Sequence, residues 1–210
     1  MTKLFTSLII VLCLYTTTFA QTKNNVEFGA NIGYNISYVN ETGVTDVNSP
    51  GTSGINLGIS ADLPLSGIWS IKGKVIFDQK GWSDGFISNA DGTVINNVNF
   101  QLNYITIPIM VNWEFGKKKN WYLNFGPYAG FLLGATETST GTDVKSAFNN
   151  NDFGLSYGLG VKIPVSSKLK LFFEYNGQSG ISNIIKGVPN SIVVQNFRSA
   201  INVGINFPLR

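Results

Sequence analysis

The sequence predicts an all-β protein, an eight-stranded antiparallel up-and-down transmembrane β-barrel. Three observations carry that expectation. Apolar residues alternate with small or polar ones in eight stretches, the connections between the stretches are alternately long and short, and the composition combines 23 glycines and 13% aromatic residues with only 13% charged ones. The clearest stretch runs from Phe153 to Val165. Phe153, Leu155, Tyr157, Leu159, Val161, Ile163 and Val165 point one way, and Gly154, Ser156, Gly158, Gly160, Lys162 and Pro164 point the other. A helix would scatter both sets around its circumference.

Two domains are expected: a signal peptide over 1–20 and an outer-membrane β-barrel domain over 21–210. Lys3, the apolar run from Leu8 to Tyr15 and the Thr18-Phe19-Ala20 site before Gln21 have the layout of a secretory signal. The run is shorter than the roughly 20 residues a membrane-spanning helix needs. The only cysteine, Cys13, lies within it and is preceded by Val11-Leu12 rather than the small residues of a lipoprotein site. Without Lys3 the mature chain has 14 basic residues against 12 acidic ones, so its charge gives no reason to expect a nucleic-acid partner. Lys117-Lys118-Lys119 is the only basic run and reads as a solvated turn.

The strands follow in order. The first, 26–38, sets Val26, Phe28, Ala30, Ile32, Tyr34, Ile36 and Tyr38 against Glu27, Gly29, Asn31, Gly33, Asn35 and Ser37. The second, 54–63, offers Ile55, Leu57, Ile59, Ala61 and Leu63 outward, with Asn56, Gly58, Ser60 and Asp62 inward. The third, 68–80, turns Trp69, Ile71, Val75 and Phe77 out and Lys72, Lys74, Asp78 and Lys80 in. The fourth spans 100–115, the fifth 121–133, the sixth 153–165 and the seventh 168–178. In the eighth, 196–207, Phe197, Ile201, Val203, Ile205 and Phe207 oppose Arg198, Asn202, Gly204 and Asn206. Each is long enough to cross, since a tilted membrane strand needs about 9–11 residues.

Tight turns are expected at 64–67, 116–120 and 165–167, and long polar connections at 40–53, 84–99, 135–152 and 179–195. Outer-membrane barrels have short periplasmic turns and long external loops, and eight strands then leave both termini periplasmic. Leu63-Pro64-Leu65-Ser66, Ile163-Pro164-Val165-Ser166 and Phe207-Pro208-Leu209 echo one another at the short-turn rim. Trp69, Trp113 and Trp121 lie near that rim, and Phe153 and Phe197 near the opposite one, as two aromatic belts would require. Pro108 and Pro127 fall inside strands at nearly equal height, and a closed barrel has no edge strand to hold them. A bulge or broken ladder is expected there.

Several segments together resemble the PorT-like outer-membrane β-barrel family of porin-type proteins. They are Leu102-Asn103-Tyr104-Ile105-Thr106-Ile107-Pro108-Ile109, Phe125-Gly126-Pro127-Tyr128-Ala129-Gly130, Asp152-Phe153-Gly154-Leu155 through Gly158-Leu159-Gly160, and Glu174-Tyr175 leading to Gly180-Ile181-Ser182-Asn183-Ile184. The resemblance covers nearly the whole mature chain and implies an eight-stranded barrel in the bacterial outer membrane, with the interior prolines as family features. It supplies no catalytic residues. Such barrels usually end on an aromatic residue, whereas Pro208-Leu209-Arg210 follows Phe207 here.

The mature chain contains no histidine, which removes the imidazole a Ser-His-Asp hydrolase needs. Gly158-Leu159-Gly160 is followed at the third position by Ile163 rather than glycine, so no phosphate-cradling motif is present. Asp46-Val47-Asn48 and Asn89-Ala90-Asp91-Gly92 lack a full calcium-loop pattern and read as turns. No catalytic, metal or cofactor residue is assigned, and no cofactor is expected.

The inward files hold Glu27, Asp62, Lys72, Lys74, Asp78, Lys162, Lys170, Glu174 and Arg198, expected to pair as a lumen-facing charged network because an unpaired buried charge is costly. An eight-stranded barrel is barely wide enough for its own side chains, which favours a plug over a conduit. Charge reversal at Lys72 or Glu174 should then destabilise the barrel, while Asn89 and Thr140 read as tolerant loop positions. The expectation is a non-enzymatic barrel with outer-membrane lipid and other envelope proteins as partners, its long loops serving recognition or support of envelope machinery. Two alternatives stand beside it, a narrow pore or small-solute binder and a soluble secreted lipocalin-like barrel.

Overall fold

The computed structural model describes residues 26–42, 49–88, 94–187, 189 and 192–209. The expected signal peptide, the Asp46 and Asn89 segments, and Arg210 lie outside the described residues. Eight strands form one closed antiparallel barrel: β1 (Glu27–Thr42), β2 (Thr52–Ser66), β3 (Trp69–Ser88), β4 (Val94–Phe115), β5 (Trp121–Glu137), β6 (Asn151–Ser166), β7 (Leu169–Gly180) and β8 (Val193–Pro208). The pairing of β1 with β8 closes the ring, from Glu27↔Pro208 to Thr42↔Val193.

The register fixes the barrel's stagger. Crossing from strand to strand at a constant level leads from Glu27 to Asp62, Lys72 and Met110, then to Gly126, Ser156, Gln178 and Arg198, and back to β1 at Ser37, ten residues beyond the start. Such a stagger tilts the strands by roughly 35–45° to the axis. Every residue on that track faces inward.

Side chains sort as the period-two pattern requires. Leu155, Leu159 and Ile163 are 40–45% exposed on the outer wall, whereas Lys162 and Arg198 are 2–3% exposed within. The outward apolar file is about ten residues long on most strands, for example Phe28 to Tyr38, Trp121 to Phe131, Ile163 to Phe153 and Phe207 to Phe197. At roughly 3.4 Å per residue and this tilt, ten residues span about 25 Å, the height of the apolar band of an outer-membrane barrel. Bulky inward rings are accommodated by inward glycines. Tyr122 lies against Gly160, Tyr128 against Gly154 and Phe172 against Gly204, each filling the space a Cβ would take.

The two interior prolines interrupt the ladders without shifting the register. Between β3 and β4 pairing runs to Gly73↔Ile109 and resumes at Ile76↔Thr106, and between β4 and β5 it breaks from Pro108↔Tyr128 to Val111↔Phe125. In that gap β5 presses close to β4, and a Cβ on Gly126 would overlap the Ile109 carbonyl and lie 2.8 Å from the Met110 Cα. The neighbouring bulge sits higher, between Asn103 and Tyr104 opposite Leu133. Two rim prolines, Pro64 and Pro164, each precede a register shift that ends at Ser66 and Ser166, so the sequence echo is a shared local geometry.

The strands run further than the pattern predicts. The segment 84–99, expected as a loop, mostly extends β3 and β4, with shifts at Trp82/Gly85 and Gly85/Phe86 and positive φ at Asp84 and Asn97. These two turn-forming residues kink strands rather than end them. Likewise β5 continues to Glu137, and β1 to Thr42.

Candidate functional site

The lumen sets short inward side chains on β1, β2, β6 and β8 against long charged ones on β3, β6 and β7 and against Arg198 on β8. At the short-turn mouth Lys162 reaches Glu114 at 2.6 Å, Glu27 at 3.1 Å and Asp62 at 3.5 Å, while Lys170 pairs with Glu27. Lys72 stands 3.7 Å from Asp62 and 4.2 Å above the Tyr122 ring. One level further in, Glu174 pairs with Lys74 and accepts from the Tyr122 hydroxyl at 3.0 Å and the Asn124 amide at 3.1 Å.

At mid-height Arg198 donates to Asp78 through Nε at 2.8 Å and to the Asn176 side chain through Nη1 at 2.8 Å. Asn35 donates to Asp78 as well, at 3.1 Å. Above them Lys80 pairs with Asp152 at 3.0 Å, and Asp152 also accepts from Tyr128 at 3.2 Å and Asn196 at 3.0 Å. Lys80 lies over the Tyr128 and Tyr104 rings, 4.9 and 5.1 Å from their centroids.

All nine residues expected in the network thus face the lumen or its mouth, and Lys80, Glu114 and Asp152 join them. Lys80 was visible on the inward file of β3. Asp152 lies one residue before the expected start of the sixth strand, and Glu114 lies within the expected fourth strand, one residue from its end, as the sole charge on that strand's inward file. The twelve make six acids and six bases, each within an ion pair.

Above Asp152 the polarity of the barrel reverses. Val39, Trp82, Val98, Phe100, Leu102, Tyr104, Leu132, Ala135, Phe148, Ile184 and Val194 form one buried apolar cluster inside the strand extensions, while Asn40, Asn96, Asn97 and Thr138 stand exposed outside. Trp82, Phe100 and Phe148 make its centre, with ring centroids 4.8–5.9 Å apart. This dome obeys the rule of a water-soluble barrel, and the band below it obeys the opposite one.

Two of the long connections belong to the dome. Phe148 follows a short 3₁₀ turn (Lys145–Ala147) and bridges to Ile185, Lys186 N–H donates to the Ala147 carbonyl at 2.8 Å, and the Asn149 amide reaches the Asn183 carbonyl at 2.9 Å. Thr140, expected to be a free loop position, is instead bound: its hydroxyl donates to Glu137, which also accepts from the Ser139 N–H at 2.6 Å and the Thr140 N–H at 2.7 Å. The Thr140 hydroxyl, with those amides, holds the Glu137 carboxyl down at about 2. Among the described residues no group of histidine, cysteine, aspartate or glutamate side chains is arranged to hold a metal ion.

Comparison with known proteins agrees with this architecture. Neisserial surface protein A superposes with a TM-score of 0.52 at 13% identity, covering 88% of this chain and 97% of that one. The outer membrane protein AlkL gives 0.53 at 13% identity, covering 89% and 92%. OprG from Pseudomonas aeruginosa gives 0.51 at 11% identity, covering 89% and 98%. At such identities the likeness is one of fold. No curated protein matches the sequence. The family described as outer membrane protein beta-barrel domain matches residues 19–186, four-fifths of the chain, within which lie seven of the eight strands and eleven of the twelve lumen charges. By that match the chain belongs to the family of outer membrane protein β-barrel domains.

Proposed function

We propose that this is a non-enzymatic integral outer-membrane barrel with a filled lumen, its short turns and both termini periplasmic and its dome and long connections outside. The PorT-like motifs make that narrower family the proposed one, with a signal peptide over 1–20 directing export. The band side chains meet bilayer lipid, and the connections recognise or support other envelope proteins. Neither a nucleic acid nor a cofactor enters this reading.

One observation carries it. Every charge in the lumen is matched by an opposite one, and the apolar dome lies above them. A solute crossing would have to strip paired charges of their partners and part packed aromatic rings, both costly steps. The periplasmic assignment of the short turns draws on the rule that such barrels keep short turns on that side. Reconstitution into planar bilayers tests the filled lumen: no steady single-channel openings are expected, and reproducible openings of fixed conductance would overturn it.

A small-solute binder is the second reading. It draws on a cavity of about 260 Å³ at the short-turn mouth, lined by Glu27, Asp62, Trp69, Glu114, Lys162 and Lys170 among others. A saturable change in Trp69 fluorescence on titration with small zwitterions would favour it.

A further inference from the structure

We propose that the short-turn rim carries a selective site for an anionic phospholipid, formed by Trp69, Trp113, Phe115 and Trp121 on the wall and Lys117, Lys118 and Lys119 in the turn below. The inference rests on the reading that the outward band faces lipid.

Three of the rings stack in a row across two strands, and Trp121 lies beside them on the third. Trp69 and Trp113 are cross-strand partners with centroids 6.0 Å apart, Trp113 stacks on Phe115 at 5.1 Å, and Phe115 pairs with Trp121 across the next ladder. The three tryptophans are 38–45% exposed, so the stack is open outward. Elsewhere on this rim the outward positions are Phe28, Leu63, Ile163, Leu171 and Phe207, and no tryptophan. The rim's tryptophans are therefore concentrated in one sector, while Phe28 and Phe207, paired across β1 and β8, continue the belt as phenylalanines.

The lysines lie at the foot of that sector. Gly116 opens the turn against Trp121, where a Cβ would stand 3.4 Å from the indole Cδ1, and Lys119 ties the turn to its neighbour by donating to the Gly67 carbonyl at 3.1 Å. All three lysines are exposed, and among the described residues none forms an ion pair. The nearby carboxylate does not neutralise them, since Glu114 turns inward to Lys162 at 2.6 Å. The other short turns hold no acidic residue, and one of them adds Lys168.

The chemistry that fits is an acyl chain and glycerol backbone along the stacked rings with an anionic phosphate among the ammonium groups. A zwitterionic headgroup would bring its own ammonium against three lysines. The site therefore discriminates by headgroup charge, which a plain aromatic belt does not.

The tryptophans report the outcome directly. The full chain is reconstituted in phosphatidylcholine vesicles carrying a small fixed fraction of bromine-labelled phosphatidylcholine or bromine-labelled phosphatidylglycerol, and tryptophan quenching is compared. Trp82, buried in the dome, contributes the same background to both. The expected relative association constant favours phosphatidylglycerol by about three- to tenfold at low salt. The preference should fall to about one in K117Q/K118Q/K119Q, with K117Q/K118Q, which keeps the Lys119 bond, as the milder variant, and should persist in K145Q/K186Q at the opposite rim. Equal quenching by the two lipids, or a preference that survives loss of the turn lysines, overturns the site. Quenching by neither lipid overturns the lipid-facing wall itself, and the site with it.

Discussion

Removing the Glu174 carboxylate tests how far the lumen depends on charge matching. Glu174 is 2% exposed, pairs with Lys74 and accepts from Tyr122 and Asn124 at 3.0 and 3.1 Å. Glu174→Gln keeps the shape and one oxygen to accept from Tyr122 and Asn124 but leaves Lys74 buried without its counter-charge. Breaking one member of a buried pair costs roughly 3–5 kcal/mol, most of it the penalty of the charge left behind. Removing both, in E174Q/K74M, should cost less than the sum of the single changes, with a coupling of at least about 2 kcal/mol. Urea unfolding of the reconstituted barrel, followed by tryptophan fluorescence, measures all four corners of the cycle. A single-variant loss below about 1 kcal/mol, or additive losses, would refute the account of the lumen as a matched network.

Three further outcomes follow from other parts of the molecule. Phe148→Ala removes a 3%-exposed ring from the dome, a change worth about 3–5 kcal/mol in a packed core, and should speed proteolytic nicking within 138–150 while the membrane band stays resistant; unchanged nicking would mean the dome is not held there. Gly126→Ala forces a methyl onto the Ile109 carbonyl and should cost about 1–3 kcal/mol or more, whereas Gly73→Ala meets nothing within 4 Å and should be far milder; comparable unfolding midpoints for the two would contradict the close approach at the proline gap. The Glu137 carboxyl titrates at about 2 in the folded chain against 4.5 ordinarily, so its contribution to holding the 138–140 turn is fully present above about pH 4.5 and is lost as the pH falls through 2. Carboxyl NMR titration should place Glu137 nearer the ordinary value in Thr140→Ala, and an unchanged midpoint would deny the hydroxyl its role.

The strand order, the inside and outside of the band, and the long and short connections were legible because period-two alternation survives wherever one face meets a uniform environment. The same rule hid the dome. Above the band the environment outside changes, so Trp82, beyond the expected end of the third strand, and Phe100, at the expected start of the fourth, turn inward, and the bulge at Leu133 moves the inward file from Leu132 to Ala135. Asp84 and Asn97 read as loop residues because they favour positive φ, and a strand bulge uses that preference as readily as a turn. Phe148, and the Ile184-Ile185 pair, lie in otherwise polar connections, and only the tertiary pairing of those two connections, Phe148 with Ile185, reveals why they are apolar. The interior prolines raised the right question, but register is a property of both strands, and the residues before Pro108 could not say that it would be kept.

The account's central claim is the polarity of the wall, and depth-resolved accessibility measures it most directly. Nitroxide labels placed singly at Phe153, Leu155, Tyr157, Leu159, Val161 and Ile163 should, in vesicles, collide freely with dissolved oxygen and little with a water-soluble relaxation agent, with oxygen accessibility peaking near Tyr157 and Leu159 at mid-band. Labels that are instead shielded from oxygen, or readily reached by the aqueous agent along the whole series, would place these side chains away from lipid and contradict the account.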